Sequence, residues 1–501
     1  MELVRRFLLV TTVFLIVAVA QAAAWRALRL PPPPVTERLG VDFRVVYCGA
    51  EAIRAGADPY RVEPLRACEH RIHQEHDEPA WSVTPMPLPS YAVALFVPLT
   101  FLPFATAEGV YFALMILAIA LASATLGGIV RKPSLAVALV LAPTAGLLNI
   151  VSGEPVPLVI AAIATAAYLL ERGKAGAAGF VAPFALIEPH VGLPALLALL
   201  LFVRGARVPA LATSVALGLL GFLSAGTAVN AEYFQTFLPL HASAELAANG
   251  QYSVSRIAFL TGAPPRLALE IGLGWYALMV ALGVALGKRL AADLGRPSLA
   301  LLVPVAAATF GGVFIHDVQI AAALPAAIVL APFSWSARIA IALLVVRWNV
   351  PWHDQAIGVA LAGIGAAIVG FGRANFGPGL MWLALAPALA LGLLRALPPP
   401  ASLSSAVQNI PDEIIADTAP SSLAWKWRIA LAPSWSTPSL RGELEKIPYW
   451  FALALLLLAG SRRKGAAEPE PVSPATPTAV SASAQPPSAP PSPAPPSPPS
   501  V

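Results

Sequence analysis

The sequence predicts an all-α polytopic membrane protein, and three observations carry that prediction. Of the 501 residues, 57% are hydrophobic and only 12% charged, with a mean hydropathy of +0.72, whereas ordinary soluble domains carry roughly 25% charged residues. The apolar residues fall into long runs at the length of roughly 20 residues that lets a helix cross a bilayer. Arg and Lys gather in a subset of the polar stretches between those runs, as cytoplasmic loops do. The net charge of +5 is therefore a topological signal. The basic residues form no patch, so no nucleic-acid partner is expected.

Residues 1–25 read as the first transmembrane helix, with Arg5 and Arg6 before an apolar run from Phe7. Small residues around Gln21 also fit a cleavable signal peptide, and both readings leave the next segment outside. Residues 26–107 form an external loop that opens with Pro31 to Pro34 and carries juxtamembrane helices. Within it, 87–104 is apolar but broken by Pro89, Pro98 and Pro103, and it reads as re-entrant because a span there would put the later basic loops on the wrong side.

Residues 108–226 hold transmembrane helices, including a pair of short ones at about 175–187 and 191–203. A second external loop covers 227–265. Further spans cover 266–460, interrupted by a polar loop at 397–446, and the Pro/Ser/Ala-rich stretch 461–501 is a disordered tail. This threading places Arg131, Lys132, Arg172, Lys174, Arg204, Arg207, Lys288, Arg289, Arg338, Arg373 and Arg462 to Lys464 on the cytoplasmic side. It gives roughly 13 transmembrane helices.

The same threading puts Asp42, Glu154, Glu188, Asp317 and all seven histidines, His70, His73, His76, His190, His241, His316 and His353, on or near the external side. Ionisable groups at the ends of apolar helices cost free energy unless solvated or paired, so they mark a cavity that opens outward.

The stretch Val41–Tyr60, VDFRVVYCGAEAIRAGADPY, is where chemistry would sit. Two readings of Asp42 are open. It precedes Phe43, Val46, Ala50 and Ile53 at helical spacing, with Gly56 as a stop, which makes it a helix N-cap; or it is a general base at the mouth of a membrane-embedded cavity. The two cysteines, Cys48 and Cys68, lie on the oxidising side, so a disulfide is the leading reading and two free thiols the alternative. Closing a loop of about 20 residues contributes roughly 3 kcal/mol in the chain-entropy model. The run CEHRIHQEHDE holds His70, His73 and His76, but their spacing drifts around a helix and no complementary ligand set follows, so no metal is expected.

The Asp42-Phe43 pair, Tyr47, Gly49-Ala50 and the run Gly56 to Tyr60, all after a first transmembrane helix, resemble glycosyltransferase family 87. Members of that family are GT-C enzymes that take a sugar, typically mannose, from a polyprenyl phosphate. The resemblance implies a GT-C-like bundle with an external first loop, set in a bacterial plasma membrane with the active site facing outside. It implies an inverting hexosyltransferase in which Asp42 deprotonates the acceptor hydroxyl. The partners implied are a polyprenyl-phosphate sugar donor, a lipid or glycan acceptor and the membrane lipids, with no cofactor.

Further motifs extend the resemblance and supply candidate substrate-binding residues. In GEPVP, Glu154 stands where the family usually has Gln. In the paired short helices, Glu188 stands at a Lys position; a Glu repels phosphate unless it is protonated or paired with a cation such as His190. In NGQYSVSR, Asn249, Gln251 and Ser253 can bond sugar hydroxyls and Arg256 a phosphate. In GGVFIHDVQI, His316 and Asp317 lie on the same side as Asp42.

The chain has no P-loop and no dinucleotide-binding Gly motif. The alternative class is a multi-pass transporter or flippase of a polar or lipid-linked substrate, since broken helices with midplane charges fit one. No inverted repeat supports it. A non-catalytic envelope assembly protein is a third class.

Overall fold

The structure is a computed structural model, and it describes residues 41–72, 83–348, 352–371, 416–431, 438 and 440–461. The expected first helix at 1–25, the tail from 462, the side chains of His73, His76 and His353, and most of the loop at 397–446 lie outside the described residues. Among those described there is no β-strand, only an isolated bridge between Arg61 and Pro420.

Three helices are long and apolar enough to cross a membrane: Phe104–Val130, Arg204–Glu245 and Pro265–Asp293. A set of shorter apolar helices, among them Val156–Glu171, Pro189–Phe202 and Leu299–Ala308, are 10–17 residues long. The roughly 13 expected spans thus become, among the described residues, three of full length and a set of short apolar helices. Proline explains the shortness in part. Pro143, Pro183, Pro194, Pro304 and Pro325 all fall in or at the edge of helices, where each removes a backbone donor and crowds the preceding turn.

Phe104–Val130 is apolar around its whole circumference, the pattern of a helix with no water-facing side. It packs against Val156–Glu171 and Ser134–Leu141 in a core of alanine, valine, leucine and isoleucine. Pro265–Asp293 packs on Leu299–Ala308. Gly192 lets the paired short helices fold back on each other, because a Cβ there would stand 2.3 Å from the Ala185 carbonyl oxygen.

The bundle has two chemically different ends. At one, Arg296 bonds the Ile129 carbonyl at 3.1 Å and pairs with Glu171 at 3.7 Å. At the same end, Lys288 lies 4.8 Å from the Phe202 ring centroid, and Arg207 bonds the Leu200 carbonyl at 2.7 Å. Lys288 and Arg207 are among the basic residues read as cytoplasmic. Acids and histidines gather at the opposite end.

The first loop is helical over Val41–Arg54 and Val62–Ile72, and a disulfide joins Cys48 to Cys68 across the two helices. The expected re-entrant segment is the short helix Ser90–Ala94 followed by the 3-10 turn Val97–Phe101. It is pinned by Ser90 Oγ to Asn230 Oδ1 at 2.5 Å and by Tyr91 Oη to the Leu186 carbonyl at 2.8 Å. The second loop differs from its reading as irregular. The helix from Arg207 turns at Gly226, whose φ of 77° few other residues adopt, and continues as helix through Glu245.

Candidate functional site

A cavity of about 680 Å³ opens at the acidic end of the bundle. Six of the expected residues line it: Asp42, Glu154, Glu188, His190, His316 and Asp317. They come from four separate places in the chain, so the fold brings together groups that the sequence scatters over 275 positions (317 − 42).

Asp42 sits in the first turn of Val41–Arg54, inside the helix. Its neighbour Phe43 is fully buried and stacks on Tyr111 at 4.3 Å and on Phe104 at 5.8 Å. Tyr47 bonds the Leu102 carbonyl at 3.0 Å. With that face locked onto the bundle and the disulfide holding the second helix, Asp42 is directed into the cavity. Arg44 is drawn away, 4.0 Å from the buried Glu69. Burial pushes the Asp42 carboxyl from 3.8 up to about 7, with Arg44 opposing the rise and Glu245 adding to it. A carboxyl that titrates near neutrality can accept a proton at physiological pH.

Glu154 follows the turn at Gly153, whose carbonyl accepts from buried Tyr111 at 2.8 Å. The same tyrosine thus packs against Phe43 and fixes the Glu154 turn. Glu188 is buried at the tip of the paired short helices, with His190 Nδ1 3.7 Å from its carboxylate. The Tyr276 hydroxyl donates to the His190 carbonyl at 2.8 Å. His316 Nε2 is 2.9 Å from Gln251 Nε2 and 3.6 Å from Glu245. Gln251 Oε1 accepts from the Ile315 backbone N–H at 3.2 Å. That bond orients the amide so that its NH2 faces the histidine.

Two of the expected substrate-binding residues, Arg256 and Gln251, lie outside the cavity lining. Arg256 does not line the cavity. It is 1% exposed, and its guanidinium bonds the Leu246 carbonyl at 3.0 Å, Asn249 Oδ1 at 2.8 Å and Glu443 at 3.1 Å. With three internal acceptors and almost no exposure, the guanidinium is held inside the protein and away from the cavity. Gln251 is also buried behind the wall, where it positions His316 and Glu245. Ser253 caps the helix Val254–Leu260 by accepting from Arg256 N at 3.2 Å.

Among the lining residues that escaped the sequence reading are Glu245, Arg347 and Trp425. Glu245 had a signal, because Phe234, Leu238, His241, Ala242 and Glu245 recur at helical spacing and all line the cavity. Arg347 follows the apolar helix Trp335–Leu344, and an ionisable residue at the end of such a helix invites a functional reading. Trp425 had none; it lies in a polar stretch 180 positions beyond Glu245, which it meets through Nε1 at 2.5 Å. Among the described residues no group of three or more His, Cys, Asp and Glu side chains is arranged to hold a metal ion.

The model of glycosyltransferase family 87 matches residues 89–315, which include Glu154, Glu188, His190, Glu245 and the chain as far as the residue before His316. No curated protein and no solved structure matches the chain. The acid-lined cavity at one end of an apolar helical bundle and the family match over its central helices point the same way: over residues 89–315 this chain is similar to glycosyltransferase family 87.

Proposed function

We propose that the protein transfers a hexose, mannose in the first instance, from a polyprenyl-phosphate donor to a lipid or glycan acceptor on the external face of a bacterial plasma membrane, with inversion at the anomeric carbon. One observation carries this reading: Asp42, raised to about 7, lines the same cavity as Glu154, Glu188 and His190 of the family-matched segment. Asp42 accepts the proton of the acceptor hydroxyl as that oxygen attacks the anomeric carbon. The bond from that carbon to the phosphate oxygen breaks on the opposite face, and polyprenyl phosphate leaves. The leaving phosphate needs cations near it more than it needs a proton. Arg347 lines the cavity and is the group for that role. Arg347 takes over the part that the sequence suggested for Arg256.

Any of the acids Glu154, Glu188, Glu245 and Asp317 would repel a phosphate when ionised, so the phosphate lies on the cationic part of the wall and the acids face hydroxyls. The experiment is direct: purified protein, polyprenyl-phosphate mannose labelled in the sugar, and a lipid extract. A labelled product that forms with the protein and not with heat-inactivated protein supports the reading. Labelled donor recovered intact across acceptor preparations rejects it.

A further inference from the structure

The geometry points to Glu245 and Trp425 as the pair that grips the donor sugar, with the segment 416–431, beyond the family-matched residues, completing the active site as a strap. The inference rests on the transfer reading above and names the residues that choose the sugar.

The strap is built onto the first loop. The Val62 and Glu63 amides donate to the carbonyls of Ala419 (2.9 Å) and Asp417 (3.1 Å), and the Ser421 amide donates to the Tyr60 carbonyl at 2.9 Å. Arg61 bonds the Thr418 carbonyl at 2.7 Å, and Arg66 pairs with Asp417 at 2.5 Å. The helix Ser421–Leu431 then lies on Leu238–Glu245, which brings the Trp425 indole N–H to Glu245 Oε1 at 2.5 Å. Both residues line the cavity.

Glu245 is held on both oxygens. Trp425 donates to Oε1, Gln251 donates to Oε2 at 3.2 Å, and the side chain is 4% exposed. Each carboxylate oxygen has two acceptor sites, so one remains on each for a ligand hydroxyl. A fixed carboxylate beside an indole suits a hexose, whose hydroxyls donate to the acid while a C–H face lies on the ring.

The wall itself orients the donor. Leu238, His241 and Glu245 follow one another at i, i+3 and i+7, on one face of the helix. Phe234, 61% exposed, lies at the apolar end with Leu273, 59% exposed, on the neighbouring helix. From Leu238 to Glu245 the helix rises roughly 10 Å, enough for a phosphate and one hexose. An isoprenoid chain therefore leaves between Phe234 and Leu273, and the sugar reaches Glu245 and Trp425.

The test uses the full-length protein in detergent with a short-chain prenyl-phosphate mannose and its monodeoxy analogues. Glu245→Gln keeps the volume, and Trp425→Phe keeps the ring but loses the N–H. Both variants are expected to bind the mannosyl donor about tenfold or more weakly, with KM rising and kcat little changed. One deoxy analogue that binds wild type poorly should bind Glu245→Gln as well as the parent donor does. Variants that bind every donor as wild type does, while transfer proceeds, overturn the sugar subsite and leave the transfer reading intact. Weakened binding in a wild-type protein that transfers nothing keeps the subsite and removes the transfer reading. A wild type that binds no prenyl-phosphate sugar overturns both.

Discussion

Replacing Asp42 by Asn removes basicity while keeping shape and hydrogen-bonding capacity. The carboxyl titrates at about 7 instead of 3.8, because burial and the charge of Glu245 outweigh Arg44. For a base of pKa about 7, the ionised fraction is about one tenth at pH 6 and about nine tenths at pH 8. Transfer by the wild type should therefore rise about tenfold over that interval, be retained above pH 8 and fall as pH drops through 7. Asp42→Asn should lose on the order of a hundredfold in kcat, the lower range for removal of a general base, and should lose the acid limb with it.

Stability moves in the opposite sense. Because the folded pKa lies above the unfolded one, the stability contributed by neutral Asp42 is fully present below about 3.8 and is lost as pH rises through about 7. At pH 8 the variant should therefore melt no lower than wild type. The assay is labelled-sugar transfer across pH 5.5 to 9 together with thermal melts of detergent-purified protein. A variant with near wild-type kcat, an unchanged acid limb and a lower melting point at pH 8 would refute the reasoning. That pattern would leave Asp42 as a first-turn acid serving only the helix dipole.

Arg347→Gln should raise the KM for the donor and lower kcat, whereas Arg256→Met should lower thermal stability and leave the KM near wild type; the reverse pattern would return the phosphate role to Arg256. Replacing Cys48 and Cys68 by Ser should cost roughly 3 kcal/mol, the scale for a loop of this length, read as a lower melting temperature in membranes or detergent. Gly192→Val places atoms where a Cβ already meets the Ala185 carbonyl oxygen at 2.3 Å; the expected outcome is little folded protein, and normal yield with normal activity would contradict the tight turn. A reporter fused after residue 64 should read external and one after Lys174 cytoplasmic, and the opposite result at both would invert the cavity.

Much of the architecture was legible in one dimension. Apolar runs of bilayer length and clusters of Arg and Lys report directly on where each residue meets lipid or water, because solvation acts residue by residue. The helices Phe104–Val130, Val156–Glu171 and Pro265–Asp293 fall largely within those apolar runs. The same reading carried the helical first loop and the set of polar residues at one end of the bundle.

What the chain order could not reveal was which of those polar groups face one another. Arg256 looks as available as Arg347 in sequence, yet Asn249, the Leu246 carbonyl and Glu443 surround it, while Arg347 faces the cavity. Glu245 stood in a stretch read as loop, and only the helix that continues past Gly226 turns it inward. Trp425 reaches it from 180 residues away because the strap pairs with the backbone of 60–63. Burial and exposure of a helix face follow from local composition. Convergence on a site is a property of long-range packing, and the hydrogen bonds that decide it join residues with no relation along the chain.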